Sequence, residues 1–102
     1  MTGTASQIEW AERIKPRVHA EIDRVANAFH GAARKQAEPD RSGTLAVIAI
    51  LEEKRVEVMA QDQAGYFIRE WQELKDQVRK LIAADSRYQT IKADRVRQTG
   101  KP

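Results

Sequence analysis

A chain of 102 residues, 41% hydrophobic and 32% charged, has the composition of one small soluble globular domain rather than of a disordered segment. The absence of cysteine excludes disulfides, thiol catalysis and cysteine-based zinc sites, and fits a reducing cytoplasm as the expected location. The net charge of +3 is uneven: residues 86–102 carry five bases against the single Asp94, so the basic character belongs to the tail. The longest apolar run, Leu45 to Leu51, has seven residues, far short of the ~18 a membrane-spanning helix requires, and no membrane partner is expected. The opening "MTGTASQIEW" shows neither the basic start nor the apolar stretch of a secretory signal.

Ser6-Gln7-Ile8-Glu9 fits the S-x-x-E capping box, in which Ser6 and Glu9 satisfy each other's backbone amides at a helix start. Apolar positions follow at Ile8, Ala11 and Ile14, then at Val18, Ile22, Val25, Phe29 and Ala32. The steps from Val18 are 4-3-4-3, the stripe of a helix that faces other helices. Pro16 lies inside this pattern, removes its own N–H bond and crowds the carbonyl of Glu12. Two readings stay open: one helix of about 30 residues kinked at Pro16, or two helices, 7–15 and 17 onward.

"EPDRSGT", Glu38 to Thr44, reads as the first loop. A second helix is expected from about Thr44 to Gln61, buried almost all round in its first two turns and therefore central. Asp62 is the expected cap of a third helix, in which Phe67, Trp71, Leu74, Val78 and Leu81 repeat the 4-3-4-3 spacing, widened by Ile68 and Ile82. "ADSRYQTIK", Ala84 to Lys92, reads as a short fourth helix, and the remainder as frayed. The expected architecture is an all-α, up-down-up three-helix bundle over residues 1–85, with a kinked long first helix. A basic, short or partly disordered tail covers 86–102. At 1.5 Å per residue the first helix would be roughly 45 Å long, more than its partners cover, so its end at Phe29, Ala32 and Ala33 must fold back, pair with a second copy or stay exposed. A homodimer is one expectation that follows.

The sequence carries little that points to catalysis or metal binding. His19 and Asp23 lie one turn apart, but two ligands are too few for a metal and His30 is roughly 16 Å further along the helix. Glu9 with Glu12, and Glu52-Glu53 with Glu57, read as solvated helix faces. The glycines are scattered, so no phosphate-cradling loop forms, and the hydroxyl residues have no neighbouring histidine as base. No enzymatic activity and no cofactor is expected. Two surfaces are candidates for binding. Trp10, off the apolar line of its helix, either caps the bundle end or, with Arg13 and Arg17, presents a contact for a protein partner. Arg79, Lys80, Arg87, Lys92, Arg95, Arg97 and Lys101 are the candidate contacts for nucleic acid, through phosphates and counterion release. The bland reading of those bases is a solubilising tail.

"QIEWAERIK", Gln7 to Lys15, resembles the Q-I-x-W-A-x-x-I-R signature of small helical proteins from bacterial plasmids, phages and other mobile elements. "AGYFIREW", Ala64 to Trp71, is similar to their second segment, A-x-[FW]-[FW]-I-D-x-R, at Ala64, Tyr66, Phe67 and Ile68, and departs from it at Arg69 and Glu70. The resemblance spans Gln7 to about Ile82. It implies a non-enzymatic helical accessory module of mobile DNA, an adaptor or an inhibitor of host defence machinery of the anti-CRISPR kind. Both motifs place an aromatic near a helix start, so a shared cap of Trp10 on Phe67 is the expected structural role of the first.

Overall fold

The computed structural model describes residues 1–99, which fold into α1 (Ala5–Lys35), α2 (Asp40–Met59), α3 (Ala64–Glu70), α4 (Leu74–Ala83) and α5 (Ser86–Thr99). The fold is all-α as expected, but five helices stand where the sequence predicts a bundle of three. α1 packs against α2, α3 and α4; α2 also meets α4 and α5, and α4 meets α5.

α1 is one helix with Pro16 inside it. The carbonyl that loses its partner belongs to Glu12, and Glu12 and Pro16 are both exposed. Water can satisfy the orphaned oxygen on that face, so the proline costs no buried hydrogen bond. The helix begins two residues earlier than predicted. Thr4, not Ser6, is the N-cap: its hydroxyl accepts from the Gln7 amide at 3.2 Å, and Gln7 Oε1 accepts from the Thr4 amide at 2.9 Å. The cause lies upstream, where Thr2 bridges Gln63 in parallel fashion and its carbonyl accepts the Ala64 amide at 2.8 Å. Gly3 turns the chain from that bridge into the helix at φ +151°, and a Cβ there would stand 3.0 Å from the Ala64 Cβ. The anchor fixes where the cap must fall.

α2 starts at Asp40, inside the segment expected to be a loop. Glu38 Oε1 accepts the Ser42 amide at 3.1 Å, and Asp40 puts an acid in the first turn, where the helix dipole favours it. Gly43 sits inside the helix for a packing reason: a Cβ there would meet Arg95 Nη2 at 3.1 Å and Ile91 Cγ2 at 3.3 Å, both on α5. The burial of this helix is less complete than expected, since Leu45 is 46% exposed beside the buried Thr44, Val47 and Ile48.

The predicted third helix is broken at 71–73, between α3 and α4. Trp71 donates its amide to Phe67 O at 3.1 Å and leaves helical geometry, and the Gln72 side-chain amide caps the Ile68 carbonyl at 3.2 Å. No glycine or proline marks the break, and the hydrophobic spacing runs straight through it. The cap of α3 is Gln63 rather than Asp62, and neither it nor Glu73 before α4 makes a side-chain capping bond. α3 and α4 nevertheless progress in one direction beside α1, and α5 continues that direction beside α2. Phe67 lies under Lys15, Arg79 lies beside Arg24 and Phe29, and Arg95 reaches Thr44 at the start of α2.

α5 is longer and better held than the short helix and frayed end predicted for this segment. Tyr88 and Ile91 pack on the core, Arg87 Nη1 donates to Glu53 Oε2 at 2.7 Å, and Arg95 Nη2 donates to the Asp40 carbonyl at 2.9 Å. The core itself gathers Val18, Ile22, Val47, Leu51, Phe67 and Val78, all fully buried. On α1 the buried line turns to Ala26 and Ala33; Val25 and Phe29 are half-buried and Ala32 is exposed. Small side chains there let α2 come close.

Candidate functional site

Trp10 does not cap the bundle. It is 55% exposed, while Phe67 is fully buried with Tyr66 edge-on at 5.2 Å and Lys15 Nζ 5.9 Å from its ring centroid. The tryptophan lies on α1 well away from the buried line through Ala11, Val18 and Ile22, which is why a core position is closed to it. The expected aromatic cap is therefore replaced by a cation–π contact from Lys15. Trp10 stands on the surface instead.

Arg17 follows Trp10 by seven residues and Arg24 by fourteen, and an α-helix drifts only ~20° per heptad, so the three lie along one edge of α1 over roughly 21 Å. All three are exposed. Arg17 has no ion-pair partner among the described residues. Arg13, grouped with Trp10 and Arg17 on sequence, sits off this line and is held by Glu9 Oε1 at 2.7 Å on a fully wet face. Arg24, which the sequence reading missed, pairs with Glu21 Oε2 at 2.5 Å. Its hydrogen bond holds the Glu21 carboxyl below the ordinary glutamate range, burial opposes this, and the Lys75 charge adds to it.

The bases assigned to nucleic acid separate into two groups. Arg87 is committed to Asp85 and Glu53, at 2.9 and 2.7 Å. Asp85, with only 9% of its side-chain surface exposed, also meets Lys54 Nζ at 3.3 Å. The Arg87 side-chain bond comes first among the causes that hold this carboxyl well below the usual aspartate range, followed by the Arg87 amide it accepts. Arg95 Nη2 donates to Thr44 Oγ1 at 2.7 Å, and Thr44, 2% exposed, donates in turn to Gln36 Oε1 at 2.6 Å. These two arginines hold α5 to α2. Arg97 pairs with Asp94 at 3.2 Å on the surface. Arg79, Lys80 and Lys92 are exposed and make no ion pair among the described residues. Lys101 lies outside the described residues.

His19 and Asp23 do come together, at 3.5 Å between Nδ1 and Oδ2, but their third neighbour is Arg55. Its Nη1 stands 2.5 Å from Asp23 Oδ1 and 3.2 Å from His19 Nε2. The pair is an ion-paired tie between α1 and α2. No cluster of three or more metal-ligating side chains forms among the described residues, and none of their helices is long and apolar enough to cross a membrane.

The structure also brings together a group that no sequence spacing announces. Where α4 ends against α1, a cavity of about 250 Å³ opens, floored by Val25, Phe29 and Val78 and rimmed by Arg24, Lys75 and Arg79. Lys75 and Arg79 are four apart on α4, which signals a shared face, but their convergence with Arg24 depends on the packing of two helices.

Compared with known proteins, the chain matches no family model, no curated protein and no solved structure.

Proposed function

We propose that this protein is a non-enzymatic binding module that docks a macromolecular partner, a protein, along the Trp10–Arg17–Arg24 edge of α1. The observation that carries the reading is Trp10 itself: a large aromatic, 55% exposed, on a helix that has a continuous buried line available elsewhere. Tryptophan and arginine are among the residues most enriched at positions that dominate binding energy, and here one tryptophan and two arginines share one edge. The partner surface that fits is an apolar pocket flanked by carboxylates. The motif resemblance adds the setting, an accessory protein of a mobile element that acts as an adaptor or inhibitor of a host defence complex. It rests on the two segments Gln7 to Lys15 and Ala64 to Trp71.

A photo-crosslinking residue placed at position 10 of the full chain, in cells of the native host, tests the edge. One discrete crosslinked protein is expected from position 10 and not from Asn27, an exposed residue on the same helix. The same crosslink should vanish when Arg17→Glu is added, with the melting temperature unchanged. Equal crosslinking from positions 10 and 27 would remove the reading. The nucleic-acid alternative is the weaker one, because Arg87 and Arg95 are engaged within the fold, leaving Arg79, Lys80 and Lys92, with the surface-paired Arg97, as its contacts among the described residues.

A further inference from the structure

We propose that the groove between α1 and α4 is a binding site for a small apolar-tailed anion, a medium-chain acyl carboxylate. The groove shares Arg24 with the proposed docking edge, while Trp10 itself lies roughly 28 Å away along α1 as measured to Phe29.

The floor supplies the apolar half of the argument. Val25, Phe29 and Tyr88 are half-buried, and Val78 and Ile82 close the bottom. Their side chains come from three helices, so the cavity is shaped by the fold rather than by one mobile side chain. Its volume, about 250 Å³, seats roughly eight water-sized groups at ~30 Å³ each, the size of an octyl chain. Larger drug-like ligands occupy ~300–1,000 Å³, so the groove selects a small occupant.

Charge supplies the other half. Arg24, Lys75 and Arg79 ring the opening, and Glu21, whose carboxyl feels the Lys75 charge, is already held by Arg24. The four groups sum to +2. Arg79, exposed at the rim, has no partner among the described residues. A carboxylate at the rim would answer this surplus with charge-assisted hydrogen bonds from two helices, while its chain displaced water from the floor. A cation of the same length would meet the rim unfavourably.

The test is an NMR titration of the ¹⁵N-labelled full chain with sodium octanoate, and with octylammonium at equal chain length. Octanoate should bind with a Kd of about 1 mM or tighter, as ~10 non-hydrogen atoms allow. The amides that shift should belong to residues 24–29 and 75–83. Octylammonium should bind at least about tenfold more weakly, and a Lys75→Ala, Arg79→Ala double variant should lose octanoate affinity by a similar factor with its melting temperature unchanged. Equal affinity for the two amphiphiles, or shifts that saturate elsewhere, would overturn the assignment. Shifts at these same amides on raising the protein concentration alone would give the groove to a second copy and overturn it as well.

Discussion

Trp10 and Phe67 are both aromatics near a helix start, and the difference between them is decided by which side of the helix each occupies. Phe67 falls on the 4-3-4-3 stripe and is fully buried; Trp10 falls off its stripe and is 55% exposed. Removing them should separate their roles sharply. Phe67→Ala creates a core cavity and should cost ~3–5 kcal/mol, whereas Trp10→Ala leaves packing nearly intact and should cost less than ~1 kcal/mol. Chemical denaturation of the two variants, read by far-ultraviolet circular dichroism, checks this. A loss above ~3 kcal/mol for Trp10→Ala would restore the aromatic cap and remove the exposed anchor. Thr44 belongs to the same scale and shows a limit of sequence reading. The residue is 2% exposed, and its hydroxyl donates to Gln36 and accepts from Arg95. A buried hydroxyl that lost such partners would cost ~1–3 kcal/mol. The two partners lie 8 and 51 residues away in sequence, so no local pattern around Thr44 could reveal them.

At the scale of the element, the helical segments were legible wherever periodicity set them and misplaced wherever a distant contact set them. The α1 stripe as far as Ile22, and the burial of Phe67, Trp71 and Val78, follow from spacing alone, whereas beyond Ile22 the buried line leaves the predicted Phe29 and Ala32 for Ala26 and Ala33. The start of α2 does not, since Gly43 is a turn former in sequence and a crossing point for α5 in the fold. The break at Trp71 to Glu73 has no sequence signal; it appears where Trp71 enters the core and Gln72 turns back to cap Ile68. Two overlapping capping boxes stand at the beginning of α1, Thr4 with Gln7 and Ser6 with Glu9, and local sequence cannot choose between them. The bridge from Thr2 to Gln63 chooses. Thr4→Ala should therefore cost ~1 kcal/mol, while Ser6→Ala, inside the first turn, should be neutral or slightly stabilising because alanine is the better helix former. Thermal melts of the two single variants distinguish them. The reverse order would move the cap to Ser6 and detach the N-terminal segment from α3.

Over the whole molecule, α5 explains how a long hairpin of α1 and α2 is covered at its far end. The sequence leaves the region of Phe29 and Ala33 without a partner because residues 86–102 read as charge rather than as structure. Their charges are what conceal the structure. Arg87 and Arg95, two bases of the supposed tail, are engaged by Asp85, Glu53 and Thr44, and Tyr88 and Ile91 between them pack on the core. The groove rimmed by Arg79 is legible only after this packing, since Tyr88 forms part of its wall. A chain ending at Asp85 should consequently behave as a damaged domain and not as a trimmed one. Losing the burial of Tyr88 and Ile91, at ~1.5–3 kcal/mol for each fully buried side chain and less for these half-buried ones, should lower stability by about 2–4 kcal/mol. The surface uncovered around Gly43 and Ile82 should drive association. Light scattering would then give the full chain its monomer mass of 11.6 kDa at micromolar concentration, and the shortened chain a larger, concentration-dependent mass with a lower melting temperature. An unchanged melting temperature on truncation would return residues 86–102 to the role of a solubilising tail. Their arginines would then again be available to phosphates.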